Sequence, residues 1–223
     1  MKVIARIRND YEEKFGIPRQ SGLAEEVMST VVFEEAFRVE EALRGIDQFS
    51  HLWLIWGFDR AERENWSPTV RPPRLGGNKR MGVFATRSPF RPNAIGLSCV
   101  RLTGVEKTAE GTVLRVSGAD LMNGTPIYDI KPYLPYADCR PEATGGFTDR
   151  TEKRQVRVVI PDGAGEGLTD EEKKALTAVL REDPRPAYQD DPDRIYGFRF
   201  GGRNIRFRVE NGILTVLETS GKV

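Results

Sequence analysis

The sequence predicts a mainly β protein, with an antiparallel β-barrel domain at the N-terminus and a small α+β domain at the C-terminus. Two observations predict this fold. Apolar and polar residues alternate in several segments of the first two-thirds of the chain, which is typical of half-buried strands. Turns rich in Gly, Pro and Asn separate these segments, without the alternation of strands and helices that builds a parallel sheet.

The predicted strands of the N-terminal domain follow one another with one helical interruption. A short helical pattern covers residues 39–43. The alternating segments are residues 3–8, 29–38, 50–58, 82–86, 95–105 and 112–117. Antiparallel strands in this number favour a barrel or a sandwich, because both leave few open sheet edges.

A polar, Gly-containing stretch without periodicity predicts a boundary between a domain of residues 1–145 and a domain of residues 146–223. In the second domain, residues 155–160 predict a strand. Thr169 and Glu172 form a capping-box pattern, which predicts the start of a helix. The last three predicted strands form a meander and cover residues 195–200, 205–209 and 213–217.

Composition describes a soluble globular protein, since the 223 residues are 39% hydrophobic and 30% charged with a net charge of +1. No apolar stretch approaches the roughly 20 residues of a membrane span, and the start lacks a signal-peptide pattern. We therefore expect a cytoplasmic protein without a membrane partner. Cys99 and Cys139 are expected to be reduced and buried. One His and two Cys do not make an ordinary zinc set, so no metal is predicted.

Positive charge is concentrated in the centre of the chain. Between Glu64 and Glu106 there is no acidic residue, but there are seven basic ones. Most lie in RPPRLGGNKRMGVFATRSPFRPNAIGLS, residues 71–98, which we call the basic segment. Prolines limit the entropy lost on binding, glycines such as Gly76 and Gly77 let the backbone approach a ligand, and guanidinium groups bind carboxylate or phosphate. The alternative is a solvated basic loop, but the Gly and Pro content favours an anion-binding site.

Several enzyme classes are disfavoured by the sequence. His51 is the only imidazole, and its place among Leu52, Trp53 and Leu54 indicates a structural histidine more than a catalytic base. No Walker A pattern and no strand-borne GxGxxG is present, which excludes the usual nucleotide-binding folds.

A second polar cluster lies further along the chain. Asn123-Gly124 predicts a turn whose backbone N–H and C=O groups could read the polar edge of a purine. Asp129, Lys131 and Tyr133 alternate, so we expect them to share one face of a strand. An ordinary turn, followed by a purely structural Asp129–Lys131 pair, is the alternative.

Read in order, GIPRQ, FSHLWLIW, the basic segment, NGTPIYDIKPYLPYAD and the Tyr196-Gly197-Phe198 tail resemble the TrmO family, also called TsaA-like proteins. The resemblance runs from about residue 3 to residue 138, and the last part of the chain is similar to the family's C-terminal domain. It implies an S-adenosylmethionine-dependent tRNA methyltransferase with a β-barrel fold. The implied reaction methylates N6 of threonylcarbamoyladenosine beside the anticodon, and the implied assembly is a homodimer.

The resemblance also implies roles for individual residues. The implied cofactor-binding residues are Pro18, Arg19, Gln20, Asp59, Arg60, Arg87, Leu97, Asn123, Gly124, Thr125 and Pro126. The residues expected to face tRNA phosphates are Arg71, Arg74, Lys79, Arg80 and Arg91. The residues expected to stack on an unpaired base are Tyr128, Tyr133, Tyr136 and Phe90.

Removal of the N6 proton needs only a weak base, because this N–H lies between a purine and a carbamoyl group and is more acidic than that of an ordinary amine. Asp129 is the hypothetical proton acceptor or orienting group, with Lys131 and Tyr133 setting its charge and direction. A methyltransferase for another substrate and a non-catalytic RNA-binding module are the alternative functions.

Overall fold

The structure is a computed structural model that describes residues 1–61, 66–75, 79–151, 155–186, 189 and 191–221. This described part is mainly β, as predicted, with twelve strands and two α-helices. The strands of the N-terminal part are β1 (Ala5–Arg8), β2 (Met28–Phe33), β3 (His51–Gly57), β4 (Thr69–Val70), β5 (Met81–Gly82), β6 (Ile95–Thr108), β7 (Gly111–Ser117) and β8 (Pro126–Pro132). No described helix has the length and apolar character needed to cross a bilayer.

Six of these strands pair in the order β1-β2-β7-β6-β3-β8, and β8 pairs back onto β1, so the sheet closes into a barrel. Every pairing in it is antiparallel. Alternation along β3 sends Leu52, Leu54 and Trp56 into the interior, where all three are buried. The side chains between them, such as Trp53 and Ile55, face outward.

Two predicted strands run into 3-10 helices. β2 ends at Phe33, short of the predicted end at residue 38, and a 3-10 helix covers Glu35–Phe37. Residues 82–86 were predicted as a strand, which is wrong beyond Gly82, because Val83–Ala85 form a 3-10 helix. Among the described residues, β4 pairs with Met81 and Gly82 alone, so the ladder ends there. The predicted helical pattern at 39–43 is a 3-10 helix at Glu40–Leu43.

The C-terminal part forms a second sheet covered by a helix. Its strands are β9 (Arg157–Val159), β10 (Tyr196–Phe200), β11 (Arg203–Glu210) and β12 (Ile213–Ser220), in the order β10-β11-β12-β9, after a short helix α1 (Pro135–Asp138). Helix α2 (Asp170–Arg181) begins with the predicted capping box: Thr169 N–H donates to Glu172 Oε2 at 2.8 Å, and Glu172 N–H donates to Thr169 Oγ1 at 3.1 Å. Its buried face includes Leu176, Val179 and Leu180.

The loop between β1 and β2, residues 9–27, packs against the second sheet. Tyr11, Ala24 and Val27 belong to the same hydrophobic core as Phe198 and the rest of that sheet. A methyl group at Gly16 would lie 2.5 Å from the Phe198 ring, so the loop backbone lies directly on this ring. The PRQ motif is therefore held between the barrel and the C-terminal sheet, a placement that alternation along the chain does not predict.

Candidate active site

A cleft of about 1040 Å³ opens between the barrel, the β1–β2 loop and the turn that follows α2. The barrel contributes Trp56 and Phe58, and the turn contributes Asp183 and Pro184. A buried ion pair between Arg185 Nε and Asp183 Oδ1, 2.8 Å long, fixes the shape of that turn. Three parts of the fold that are distant in sequence thus form one concave surface.

Most of the predicted cofactor-binding residues line this cleft. They are Pro18, Arg19, Gln20, Asp59, Arg60, Arg87, Leu97 and Thr125. Asn123 and Gly124 instead border a smaller depression beside β1, and Pro126 is buried at the start of β8. The PRQ, ATRS, IGLS and NGTP motifs therefore converge, although only Thr125 of the NGTP motif lines the cleft.

The arginines at the cleft are held by hydrogen bonds from separate segments. Arg87 Nη1 donates to Gln20 Oε1, which joins the ATRS and PRQ motifs directly. Arg19 Nη2 donates to the carbonyl oxygen of Arg185 at 3.3 Å, and Arg60 Nη1 lies 3.4 Å from the sulfur of Met122. These contacts fix the guanidinium groups in place and leave them at the cleft wall, where a carboxylate or phosphate could bind.

The turn at Asn123-Gly124 is pinned to β1 and the residues after it. Asn123 N–H donates to the carbonyl of Tyr11 and Gly124 N–H donates to the carbonyl of Ile7, both at 2.8 Å. Gly124 adopts a φ of 84°, which glycine tolerates best. Both N–H groups are therefore bonded within the protein, and this turn anchors β8 to β1. Recognition of a purine edge by the C=O groups of the turn stays a prediction.

A hydrogen-bonded chain that the sequence did not predict runs from the barrel interior to the cleft. Trp56 Nε1 donates to Ser98 Oγ at 2.9 Å, and the Ser98 hydroxyl donates to Asp120 Oδ1. Asp120 lines the cleft, and burial raises the pKa of its carboxyl group. Alternation in IGLS predicts only that Ser98 points inward. Its partner Asp120 lies in the loop that follows β7.

Asp129, Lys131 and Tyr133 share the outer face of the barrel, as the alternation predicted. Asp129 pairs with Ile55 and Lys131 pairs with Trp53 across β3, while Lys131 Nζ lies 3.2 Å from Asp129 Oδ2. None of the three lines the cleft. Ile55 on β3 lies between Asp129 on β8 and the cleft residue Leu97 on β6. Two strand spacings, about 10 Å, therefore separate Asp129 from Leu97.

An aromatic cluster continues this outer face. The ring of Tyr133 lies 5.7 Å from Trp53 and 6.2 Å from His51, measured between centroids. Trp53 lines the cleft and donates from Nε1 to Asp138 Oδ2 at 3.0 Å. His51 Nδ1 lies 2.9 Å from the hydroxyl of Ser50. Other predicted stacking residues are placed differently: Tyr136 is exposed, whereas Tyr128 and Phe90 are half-buried.

The basic segment presents its charges unevenly. Arg71, Lys79 and Arg80 are exposed. Arg91 is half-buried at the cleft and donates to the carbonyl groups of Thr86 and Ser88 at 3.1 and 3.4 Å, so it stabilises its own loop. The side chain of Arg74 and the residues Gly76 and Gly77 lie outside the described part of the structure.

The remaining sequence predictions concern cysteines and metals. Cys99 and Cys139 are both free thiols, but Cys99 is half-buried and Cys139 is exposed, so the prediction that both are buried is wrong. Burial raises the pKa of the Cys99 thiol. Among the described residues, no group of three His, Cys, Asp or Glu side chains is placed to hold a metal ion.

Comparison with known proteins gives the family. The model of the tRNA-methyltransferase O N-terminal domain matches residues 6–139, and the model of the TrmO C-terminal domain matches residues 153–222. The chain belongs to the tRNA-methyltransferase O family. The tRNA (adenine(37)-N6)-methyltransferase of Escherichia coli K12 is 41% identical over 214 residues, which cover 92% of this chain and 91% of that protein.

Further TrmO-family comparisons extend over nearly the whole chain. A putative S-adenosylmethionine-dependent methyltransferase, RcsF, of Pseudomonas aeruginosa PAO1 is 40% identical over 227 residues, covering 98% of this chain and 96% of that protein. A crystal structure of TrmO from Pseudomonas aeruginosa is 34% identical, with a TM-score of 0.78 and coverage of 99% of both chains. A second TrmO crystal structure gives a TM-score of 0.80 at 35% identity, again covering 99% of both.

The cleft fits S-adenosylmethionine, the cofactor of this family, by the chemistry of its lining. Arg19 and Arg87 supply guanidinium groups for a carboxylate. Trp56 and Phe58, whose ring centroids are 4.2 Å apart, supply aromatic surface for a purine or a cation. Asp120 supplies negative charge. A volume of about 1040 Å³ is ample for a ligand of this size.

Proposed function

We propose that this protein transfers a methyl group from S-adenosylmethionine to N6 of threonylcarbamoyladenosine next to the anticodon of a tRNA. The observation that carries the proposal is the convergence of the PRQ, ATRS, IGLS and NGTP motifs on one cleft with the chemistry the cofactor needs. Relatives named tRNA (adenine(37)-N6)-methyltransferase, at 41% and 42% identity, support the base and the atom that are methylated.

The cofactor supplies an electrophilic methyl group on a positively charged sulfur. In the proposal, Arg87 and Arg19 bind its carboxylate, while Pro18, Gln20, Leu97 and Thr125 shape the rest of the cleft. Asp59 and Arg60 lie at the rim, where Arg60 is held by Met122. Holding two substrates in attack geometry can contribute about 7–11 kcal/mol, so positioning supplies much of the rate.

The target base is proposed to lie on the outer face of β3 and β8, beside the cleft. Trp53 and Tyr133 offer aromatic surface there, and stacking is the usual way in which proteins hold an unpaired RNA base. Asp129 is the proposed acceptor or orienting group for the N6 proton. Lys131 Nζ, 3.2 Å from Asp129 Oδ2, orients this carboxylate on the outer face.

The remaining proposals concern the larger assembly. Residues 1–145 are proposed to form the methyltransferase domain and residues 146–223 a separate α+β domain, which the extents of the two family models support. A cytoplasmic homodimer is proposed as the working form. Leu97, on the outer face of β6, is 56% exposed and is a candidate interface residue. Sedimentation of the purified protein checks the dimer.

The decisive experiment measures tRNA nucleosides by mass spectrometry after incubation with the protein and S-adenosylmethionine. One tRNA carries threonylcarbamoyladenosine and a matched transcript carries plain adenosine. The proposal expects one added methyl group on the first and none on the second. Equal methylation of both would indicate another substrate. No product together with no cofactor binding would indicate a non-catalytic RNA-binding module.

A further inference from the structure

The charge pattern of the cleft poses a physical problem for its ligand. Arg19, Arg60, Arg87 and Arg91 all line the cleft, and each repels a positively charged sulfur. A methyl donor that carries this charge needs a compensating negative group close to where the sulfur binds. The residues that could compensate are the carboxylates of the same wall.

Asp120 differs from the other carboxylates at the cleft by its environment. It is half-buried and forms no ion pair with the described residues. The Ser98 hydroxyl, which is itself fully buried, donates to its Oδ1, and the backbone N–H of Ser21 also favours the ionised carboxylate. The carboxylate is thus held by neutral donors and forms no ion pair with the described residues, although Arg87 is close enough to lower its pKa.

The surroundings of Asp120 suit a cation. Trp56 donates to the same Ser98 hydroxyl, so its indole ring is locked beside the carboxylate. The Phe58 ring lies 4.2 Å from the Trp56 ring, and both line the cleft. Aromatic faces and a carboxylate are the groups that attract an alkylated cation out of water.

We propose that Asp120, held by Ser98 and flanked by Trp56 and Phe58, is the subsite for the positive sulfur of S-adenosylmethionine. This inference rests on the proposed function and goes beyond it by assigning how the protein distinguishes the charged methyl donor from its neutral product. S-Adenosylhomocysteine has the same adenosine and amino-acid groups but an uncharged sulfur. A charge-compensating carboxylate therefore favours the donor over the product and promotes product release.

The test compares Asp120→Asn with the wild-type full-length protein by calorimetric titration of both ligands. The substitution preserves size and removes the charge. We expect affinity for S-adenosylmethionine to fall by about tenfold or more, equivalent to about 1.4 kcal/mol, and affinity for S-adenosylhomocysteine to change by less than about threefold, or about 0.7 kcal/mol. Glu13→Gln, which removes a carboxylate charge from the same cleft at a position that Ser98 does not hold, is the matched control and should leave the ratio of the two affinities unchanged.

Each outcome is informative. Equal losses for the two ligands would mean that Asp120 only shapes the cleft or binds another part of the ligand, and would overturn the inference. An unchanged affinity for S-adenosylmethionine would also overturn it. If the wild-type protein bound neither ligand, the proposed function itself would fail. Thermal melts of each variant establish that it is folded before titration.

A second measurement varies the pH. Protonation of Asp120 removes its charge, so the wild-type preference for S-adenosylmethionine over S-adenosylhomocysteine should shrink as the pH falls. The ionisable groups that act on Asp120 directly are Arg87 and Tyr11, and burial raises the pKa of Tyr11 far above neutrality. The other carboxylates that line the cleft are Glu12, Glu13, Asp59, Glu182 and Asp183. Asp120→Asn keeps all of them, so it is titrated in parallel and should show a smaller change with pH. A wild-type preference that stayed constant between neutral and acidic pH, or that changed equally in the variant, would contradict the inference.

Discussion

At the scale of single residues, the cleft contains a carboxyl group, Asp120, in a partly buried position that is unfavourable for a charge. The Asp120 carboxyl is partly withdrawn from water, and this burial outweighs its hydrogen bonds to Ser98 and the backbone, so its pKa is raised. Arg87 offsets the effect only in part, as its guanidinium is bonded to Gln20. A position that is unfavourable for folding but borders a ligand cleft is typical of a functional group.

This raised pKa predicts a pH-dependent stability difference. A carboxyl whose pKa is raised on folding stabilises the protein only below its unfolded pKa of about 3.9, and that contribution is lost as the pH rises through the folded value. Above its folded pKa, the ionised Asp120 therefore lowers the free energy of unfolding. We expect Asp120→Asn to unfold at a higher temperature than the wild type at pH 7, and the gap to narrow near pH 4.

Thermal melts across this pH range, with Glu13→Gln as the reference for removing one cleft charge, check the prediction. A rise of about 2–4 °C would correspond to about 1 kcal/mol in a chain of this size. A lower melting temperature for Asp120→Asn at pH 7 would show that the bonds from Ser98 and Ser21 outweigh the burial of the charge.

Asp129 tests the proposed proton transfer separately from cofactor binding. Because it lies outside the cleft lining and is paired with Lys131, its substitution should leave the affinity for S-adenosylmethionine unchanged. As proton acceptor, Asp129→Asn is expected to lower kcat by about 100-fold or more. Single-turnover methylation measures this step. Full turnover with normal cofactor affinity would assign the Asp129–Lys131 pair a structural role.

At the scale of elements, the backbone of β6 at Gly96 lies against the Trp56 ring of β3, and this contact shapes the cleft. A methyl group on Gly96 would lie 2.1 Å from Cε2 of Trp56, so only glycine lets the indole lie over β6. That position brings Trp56 Nε1 to Ser98, and Ser98 to Asp120. The glycine of the IGLS motif therefore supports the cleft through packing.

Substitution of this glycine should disturb stability and binding together. Gly96→Ala forces the Trp56 ring away and is expected to lower the free energy of unfolding by about 1–3 kcal/mol, as overpacked cores do. It should also weaken S-adenosylmethionine binding, because Ser98 loses its partner. Urea unfolding and titration measure both effects. Gly82→Ala is the control: a methyl group there meets no atom within 4 Å, and its φ of −58° suits alanine. Equal effects of the two substitutions would contradict this account.

The elements also show which features the sequence could predict. Alternation found β3, because Leu52, Leu54 and Trp56 point to one face, and the local chemistry of Thr169 and Glu172 located the start of α2. Alternation failed at Val83–Ala85, since it does not reveal whether a neighbouring strand is present to pair with.

The candidate site was predictable to a similar extent. The motif residues Arg19, Arg87 and Leu97 were found through the family resemblance, and the structure brings them to one cleft. The bond from Ser98 to Asp120 was not predicted, because it depends on the register in which β6 pairs with β7, which brings Ser98 beside the loop that follows β7. Long-range contacts of this kind leave no periodic signal in the chain.

At the scale of the whole molecule, the β1–β2 loop joins the two halves of the chain. It carries the PRQ motif, packs Tyr11 against Phe200 and Gly16 against Phe198, and accepts a hydrogen bond from Arg87 at Gln20 Oε1. The C-terminal sheet therefore supports one wall of the cleft from behind. Because Val179 and Glu182 also line the cleft, we propose that the C-terminal part contributes to cofactor binding.

We propose that the exposed cations of the basic segment provide a surface for polyanions that is separate from the cleft. Arg71, Lys79 and Arg80 are exposed and are absent from the cleft lining. Phosphate contacts by such side chains release counterions, so they strengthen tRNA binding without affecting the cofactor site. Affinity for tRNA and affinity for S-adenosylmethionine should accordingly be separable by mutation.

Replacing Arg71, Lys79 and Arg80 with alanine is expected to weaken tRNA binding and to reduce its dependence on salt. Each lost phosphate contact lowers the slope of log affinity against log salt by about 0.7–0.9, or about 2–3 for the triple variant. Binding of S-adenosylmethionine should be unchanged. The matched control replaces three exposed cations of the C-terminal part, Arg157, Lys174 and Arg208. Fluorescence titrations of tRNA over a range of salt concentrations measure the slopes. A wild-type slope in the first variant, or an equal fall in the control, would locate the tRNA surface elsewhere on the molecule.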